Sequence, residues 1–236
     1  AWHAERLQGR TPGAWLDMQY RWAHQLVHRK VQAALGFDQA RILISGAAPI
    51  AVENLEFFTG LGLLIGEVYG QSEDCGPTAI SLPGFIRLGA AGKTLPGMQV
   101  RIAEDGEILV RGPNVFRGYR GRPEATAEAL QNGWLHSGDL GRIDEDGFIY
   151  VTGRKKDLLI TSGGKNISPG NIEADLMNLP LVEHAVVIGD SRHFLSALLT
   201  LKPDVLQAFA QQHQIPGGPA EWARSSPVQE ELQRGI

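Results

Sequence analysis

Residues 41–70 read RILISGAAPIAVENLEFFTGLGLLIGEVYG, and the order of textures inside them decides the fold class. Residues 41–45 are a short β-rich run that ends in the small-residue turn Gly46-Ala47-Ala48-Pro49. Residues 50–61 read as a helix, and residues 63–69 are β-rich again. Strand, helix and strand in that order make a parallel crossover unit. Ligands of such units sit at the carboxyl ends of the strands. Here those ends are Ser45-Gly46 and Tyr69-Gly70.

Upstream, AWLDMQYRWAHQLVHRKVQAAL (residues 14–35) places Trp15, Met18, Trp22 and Leu26 at steps of three and four. Behind Pro12 this predicts one long amphipathic helix whose tryptophan stripe faces the core. Downstream, helical periodicity gives way near residue 96 to alternation. QVRIA-EDG-EILVRG and LGRID-EDG-FIYVTG are two hairpins that share a Glu-Asp-Gly turn, with RPEATAEAL as a short helix between them. After Gly153 come a strand (LLIT), a Gly-Gly loop, a helix from about Pro169 to Met177, and the strands HAVVIG and FLSALLTL. A helix follows Pro203, and the polar tail over residues 220–236 reads as peripheral and frayed. The expected fold class is α/β. Residues 1–95 end a large α/β domain, residues 96–154 form its β-rich subdomain, and residues 155–236 form part of a small α+β C-terminal domain.

The totals narrow the function. Lys plus Arg number 22 against 26 Asp plus Glu, a net charge of −4, so the chain offers no basic footprint for a nucleic acid. A single cysteine excludes an intrachain disulfide and a Cys-rich metal cage and suits a cytoplasmic setting. No stretch approaches the ~20 consecutive apolar residues of a membrane span. The chain opens at Ala1, which suggests a piece of something longer.

Four loops carry candidate chemistry. Gly46 to Pro49 has side chains small enough for a flat ring to approach the backbone, and is otherwise a tight turn. Tyr69-Gly70-Gln71-Ser72-Glu73 offers an aromatic face, a hydroxyl and a carboxylate in succession, suited to a base, a phosphate and a hard cation, or else it is a solvated loop. Asp139, within His136-Ser-Gly-Asp-Leu140, sits among residues that favour burial and needs a partner: a sugar diol, or its own backbone. Arg154 ends the next hairpin strand and could reach the same diol. Ser162-Gly163-Gly164-Lys165 joins a glycine-lined backbone to a cation. No Ser-His-Asp set is evident.

Read in order, GAAP, YGQSED, GEILVRGP with GY, WLHSGDLG, GRKKDLLITSGGKNISP and NIE resemble the adenylate-forming superfamily, and within it the acyl-CoA synthetases. The likeness covers nearly all of residues 30–203, and GRKKDLLITSGGKN is most similar to the long-chain fatty acid–CoA ligases. It implies an ATP-dependent ligase that adenylates a carboxylic acid with Mg²⁺ and passes the acyl group to CoA. Gly46, Ala47, Ala48, Pro49 and Tyr69 would surround adenine, Gly70 and Gln71 would also bind the nucleotide, Ser72 would lie near the α-phosphate, and Glu73 would hold Mg²⁺. Asp139 and Arg154 would take the ribose, and Lys156 would be the hinge of the small domain. Gly163 and Gly164 would line the CoA passage, with Lys165 near phosphate. The resemblance also implies that the phosphate loop and the adenylation lysine fall outside these residues, so that the fragment alone is inactive. The alternatives are a non-catalytic nucleotide-binding module and an adenylation domain that loads a carrier protein. A peripheral membrane contact of the parent stays open.

Overall fold

The computed structural model describes residues 1–7, 9–48 and 50–235. The chain divides into two compact units, Ala1–Lys155 and Lys156–Ile236.

The first unit opens with α1 (Trp2–Leu7) and α2 (Ala14–Ala23), which continues through a π turn (His24–His28) into α3 (Arg29–Ala34). The long helix is therefore present, but its stripe does not face a core. Trp15, Met18, Trp22 and Leu26 are 68%, 43%, 63% and 58% exposed. The packed side belongs to Tyr20, about 140–200° around the helix from the first three of them. Its ring stacks on Trp2 at 4.1 Å and meets His3, His24 and His28 at 5.0, 5.8 and 5.7 Å. Periodicity located an apolar face correctly, but a different arc of the helix found the neighbours.

Next come β1 (Leu43–Gly46), α4 (Val52–Gly60) and β2 (Ile65–Gln71). β1 and β2 pair in parallel from Leu43↔Ile65 to Gly46↔Val68, as a crossover requires. The remaining elements of this unit are β3 (Gly76–Ile80), β4 (Gly92–Thr94), β5 (Gln99–Ile102), β6 (Glu107–Arg111), α5 (Pro123–Ala129), β7 (Leu130–Gln131), β8 (Trp134–Ile143) and β9 (Phe148–Arg154). They join one nine-stranded sheet in the order β1-β2-β3-β4-β9-β8-β6-β5, with β7 paired to β8. The hairpins β5–β6 and β8–β9 reverse at the two Asp-Gly pairs. The change of texture at residue 96 is not a break between bodies, because backbone hydrogen bonds carry the sheet across it. Tyr69, Ala79, Ala91, Ile108, Val110, Leu135 and Ile149 form a single buried cluster drawn from both halves.

The second unit holds two small antiparallel sheets. β10 (Leu159–Ile160) pairs with β11 (Asn166–Ile167), so the expected LLIT strand shortens to two residues. α6 (Pro169–Met177) follows, then β12 (Val182–Ile188) paired with β13 (Ser196–Leu201). Three helices complete it: α7 (Pro203–Gln212), α8 (Pro219–Ala223) and α9 (Ser226–Gly235). The tail read as frayed is therefore helical and packed. Val228 is fully buried and clusters with Leu181 and Leu206. The polar composition hid an apolar pair, Val228 and Leu232, one helical turn apart. Among the described residues, no helix is long and apolar enough to cross a membrane.

Candidate functional site

Tyr69 and Asp139 define the site. Tyr69 lies one residue before the bend at Gly70 in β2, and Asp139 lies in the middle of β8. These strands are four places apart in the sheet order. At about 4.8 Å per strand a flat sheet would hold them roughly 19 Å apart. Instead the Tyr69 hydroxyl donates to Asp139 Oδ2 at 2.9 Å. The sheet must therefore curl until its second and sixth strands meet.

Asp139 is only 8% exposed, and among the described residues its carboxylate has two partners. Besides Tyr69, Arg154 Nε donates to Oδ1 at 3.2 Å across the β8–β9 register Asp139↔Arg154. Sequence reasoning asked what satisfies a carboxylate in this setting. Part of the answer is the protein itself, since a carboxylate offers about four acceptor positions and these bonds use two. Burial, and then the Asp139 charge, push the Tyr69 phenol up, so it stays protonated and donating. The Arg154 side chain is 66% exposed and presents its remaining donors to solvent.

The neighbouring loop is built as a rigid turn. Ser72–Asp74 is a short 3-10 turn held by Asp74, which is fully buried. Asp74 accepts from the Gln71 amide at 2.8 Å and from the Thr78 hydroxyl. A second loop fastens the turn: Asn114 Nδ2 donates to the Asp74 carbonyl at 2.6 Å, and the Phe116 amide donates to the Glu73 carbonyl at 2.7 Å. Ser72 is left exposed at the tip. The Glu73 carboxylate accepts from the Tyr119 hydroxyl at 2.6 Å. Gly70 makes this turn possible: a Cβ there would lie 1.8 Å from the Gly76 carbonyl oxygen.

Gly46 ends β1 opposite Val68, so the turn that begins at Ala47 lies beside the end of the strand carrying Tyr69. Ala47 holds a left-handed φ of 68°. Pro49 lies outside the described residues. Within the first unit the structure thus brings together Gly46, Ala47, Tyr69 to Glu73, Asp139 and Arg154. In the second unit Gly163, Gly164 and Lys165 form the β10–β11 turn, closed by the Gly164 amide donating to the Thr161 carbonyl at 2.8 Å. Lys156 is the first residue of that unit.

Sequence reasoning missed the supports: Asp74, Asn114, Tyr119, and the group of Glu107, His136 and Lys155. Glu107 did carry a signal, since it places an acid at the head of a run of buried residues, whereas Asp74 stands among exposed and half-buried neighbours.

Residues 11–120 match the profile of the AMP-binding enzymes, and residues 156–215 match the profile of the AMP-binding enzyme C-terminal domain. The chain belongs to the AMP-binding enzyme family. Long-chain-fatty-acid–CoA ligase FadD15 of Mycobacterium bovis is 44% identical over 207 residues, which is 88% of this chain and 34% of the relative. The putative fatty-acid–CoA ligase fadD11 of Mycobacterium tuberculosis is 45% identical over 233 residues, 98% of this chain and 41% of the relative. Among solved structures, O-succinylbenzoate coenzyme A synthetase of Bacillus subtilis with its acyl-adenylate intermediate has a TM-score of 0.65 at 32% identity, covering 80% of this chain and 45% of that one. The same enzyme with ATP and magnesium ion gives 0.62 at 35%, covering 73% and 40%. The chain therefore spans between a third and a half of the length of these three proteins.

Proposed function

We propose that this chain is the nucleotide-gripping C-terminal part of an ATP-dependent acid–CoA ligase. The parent adenylates a carboxylic acid, most simply a long-chain fatty acid, and transfers the acyl group to CoA. The observation that carries the reading is the Tyr69–Asp139–Arg154 linkage, which fixes an acceptor, a donor and an aromatic ring at one place on the curled sheet.

In this reading Gly46, Ala47, Ala48 and Tyr69 border adenine, and Gly70 and Gln71 belong to the same nucleotide site. Asp139 uses its free acceptor positions on a ribose hydroxyl, and Arg154 supplies donors from the other strand. Ser72, exposed at the tip of a braced turn, lies near the α-phosphate. Among the described residues no three His, Cys, Asp or Glu side chains gather to hold a metal. Glu73 is the carboxylate we assign to Mg²⁺, an ion commonly bound by one or two carboxylates together with substrate phosphates. When bound, the ion neutralises phosphate charge. A substrate carboxylate is already a nucleophile at neutral pH, so the protein supplies alignment and no base. Lys156 is the pivot of the second unit, and Gly163, Gly164 and Lys165 take the CoA arm. The motif GRKKDLLITSGGKN and the names of the curated relatives support a long-chain substrate. The one cysteine, Cys75, is a free thiol and supports a cytoplasmic setting.

Calorimetry of this chain with AMP and with a non-hydrolysable acyl-adenylate mimic tests the reading. Binding by the wild type, weakened by about 1.5–3 kcal/mol in Asp139→Ala, is the expected result. A wild-type chain indifferent to both ligands overturns it.

A further inference from the structure

Glu107 opens β6 and is 4% exposed, the first of four consecutive buried residues. A carboxylate in that position is costly unless donors surround it. Three do. Oε1 accepts from the Gly138 amide at 2.9 Å, and Oε2 accepts from Lys155 Nζ at 3.2 Å and pairs with His136 Nδ1 at 3.0 Å. Gly138 immediately precedes Asp139, and Lys155 immediately follows Arg154. One side chain thus holds the chain on both flanks of the pair assigned to ribose.

The strand register explains why such a hold is needed. Glu107 pairs with Leu140 and Leu109 with His136, so two steps along β6 oppose four along β8. Ser137, Gly138 and Asp139 therefore bulge out of the β6–β8 ladder, with Gly138 at a φ of 75°, while Asp139 keeps its register with Arg154 in β9. Side chains replace the lost ladder bonds: the Ser137 hydroxyl donates to the Ile108 carbonyl at 2.6 Å, and Glu107 takes the Gly138 amide. The bulge carries Asp139, and Glu107 is bonded to the residue just before it. Lys155 is fixed further by Asp105 Oδ2 at 2.6 Å. Burial pushes the Glu107 carboxyl up, but the His136, Gly138 and Lys155 donors outweigh it and keep the group ionised.

We propose that Glu107 is a positioning residue for nucleotide binding: by gripping Gly138 and Lys155 it holds Asp139 and Arg154 at the separation that a ribose diol requires. The inference rests on the ribose reading of Asp139, so the test separates the two.

Affinities of this chain for AMP and 2′-deoxy-AMP are measured in the wild type, Glu107→Gln and Lys155→Met, with circular dichroism confirming each fold. The wild type is expected to prefer AMP. Glu107→Gln is expected to weaken AMP by about tenfold and 2′-deoxy-AMP much less, so that the preference shrinks. Lys155→Met, at an exposed side chain, reads the same preference even if Glu107→Gln does not fold. Equal weakening of both nucleotides in the variants, or an unchanged preference, overturns the positioning role and leaves the ribose reading standing. A wild type that binds AMP without any preference over 2′-deoxy-AMP overturns the ribose reading and this inference with it.

Discussion

The Tyr69 hydroxyl donates to Asp139 Oδ2 at 2.9 Å, although 70 residues separate them in the chain. That bond ties the parallel crossover to the β8–β9 hairpin, and it does so inside the site. Tyr69→Phe leaves the buried Asp139 with one donor fewer. The expected loss is about 1–3 kcal/mol of stability, read from the urea midpoint. AMP affinity should fall with it, because the carboxylate is no longer held in place.

Gly70→Ala tests the turn below Tyr69. Its Cβ would sit 1.8 Å from the Gly76 carbonyl oxygen, which is backbone and cannot swing aside. Separation of β2 from β3 should cost about 3 kcal/mol, the upper part of the overpacking range. Chemical denaturation at an unchanged m-value is the check.

Acid should loosen the N-terminal aromatic cluster. Burial, then repulsion from His28 and the N-terminus, lowers the His3 imidazole from 6.5 to about 4. The folded chain thus favours neutral His3 while the unfolded chain protonates near 6.5, so stability is complete above pH 6.5 and falls between there and about pH 4. After discounting for solvent screening at this half-buried site the loss is about 1–2 kcal/mol. Melting temperatures across that window should slope less in His3→Gln than in the wild type.

Val228→Ala probes the terminal helix. The side chain is fully buried against Leu181 and Leu206. Losing two methyl groups and leaving a cavity should cost about 2–3 kcal/mol. A change below about 0.5 kcal/mol, typical of a surface substitution, would mean that α9 is not part of this core.

What the sequence revealed depended on how far each determinant reached. The crossover and the two Asp-Gly hairpins were legible because their signals are local. Asp139 was legible as a carboxylate needing partners, but Tyr69 as one of those partners was not, because curling of the sheet brings them together. Glu107 was harder, since its side-chain donors His136 and Lys155 come from 29 and 48 residues away. Trp15 and Trp22 were misread because periodicity shows which side of a helix is apolar and says nothing of what lies against it. Val228 was missed because its ten-residue helix is mostly polar and its apolar stripe is narrow.

β1 has a material consequence for anyone handling the chain. It is a four-residue strand at the border of the sheet, bonded on one side to β2, and Ile42 and Ile44 are 54% and 48% exposed. Free amides and carbonyls flanked by isoleucine form a template onto which another molecule can add. This rim therefore limits solubility at high concentration, and Ile44→Lys should raise it without removing any residue assigned to the nucleotide.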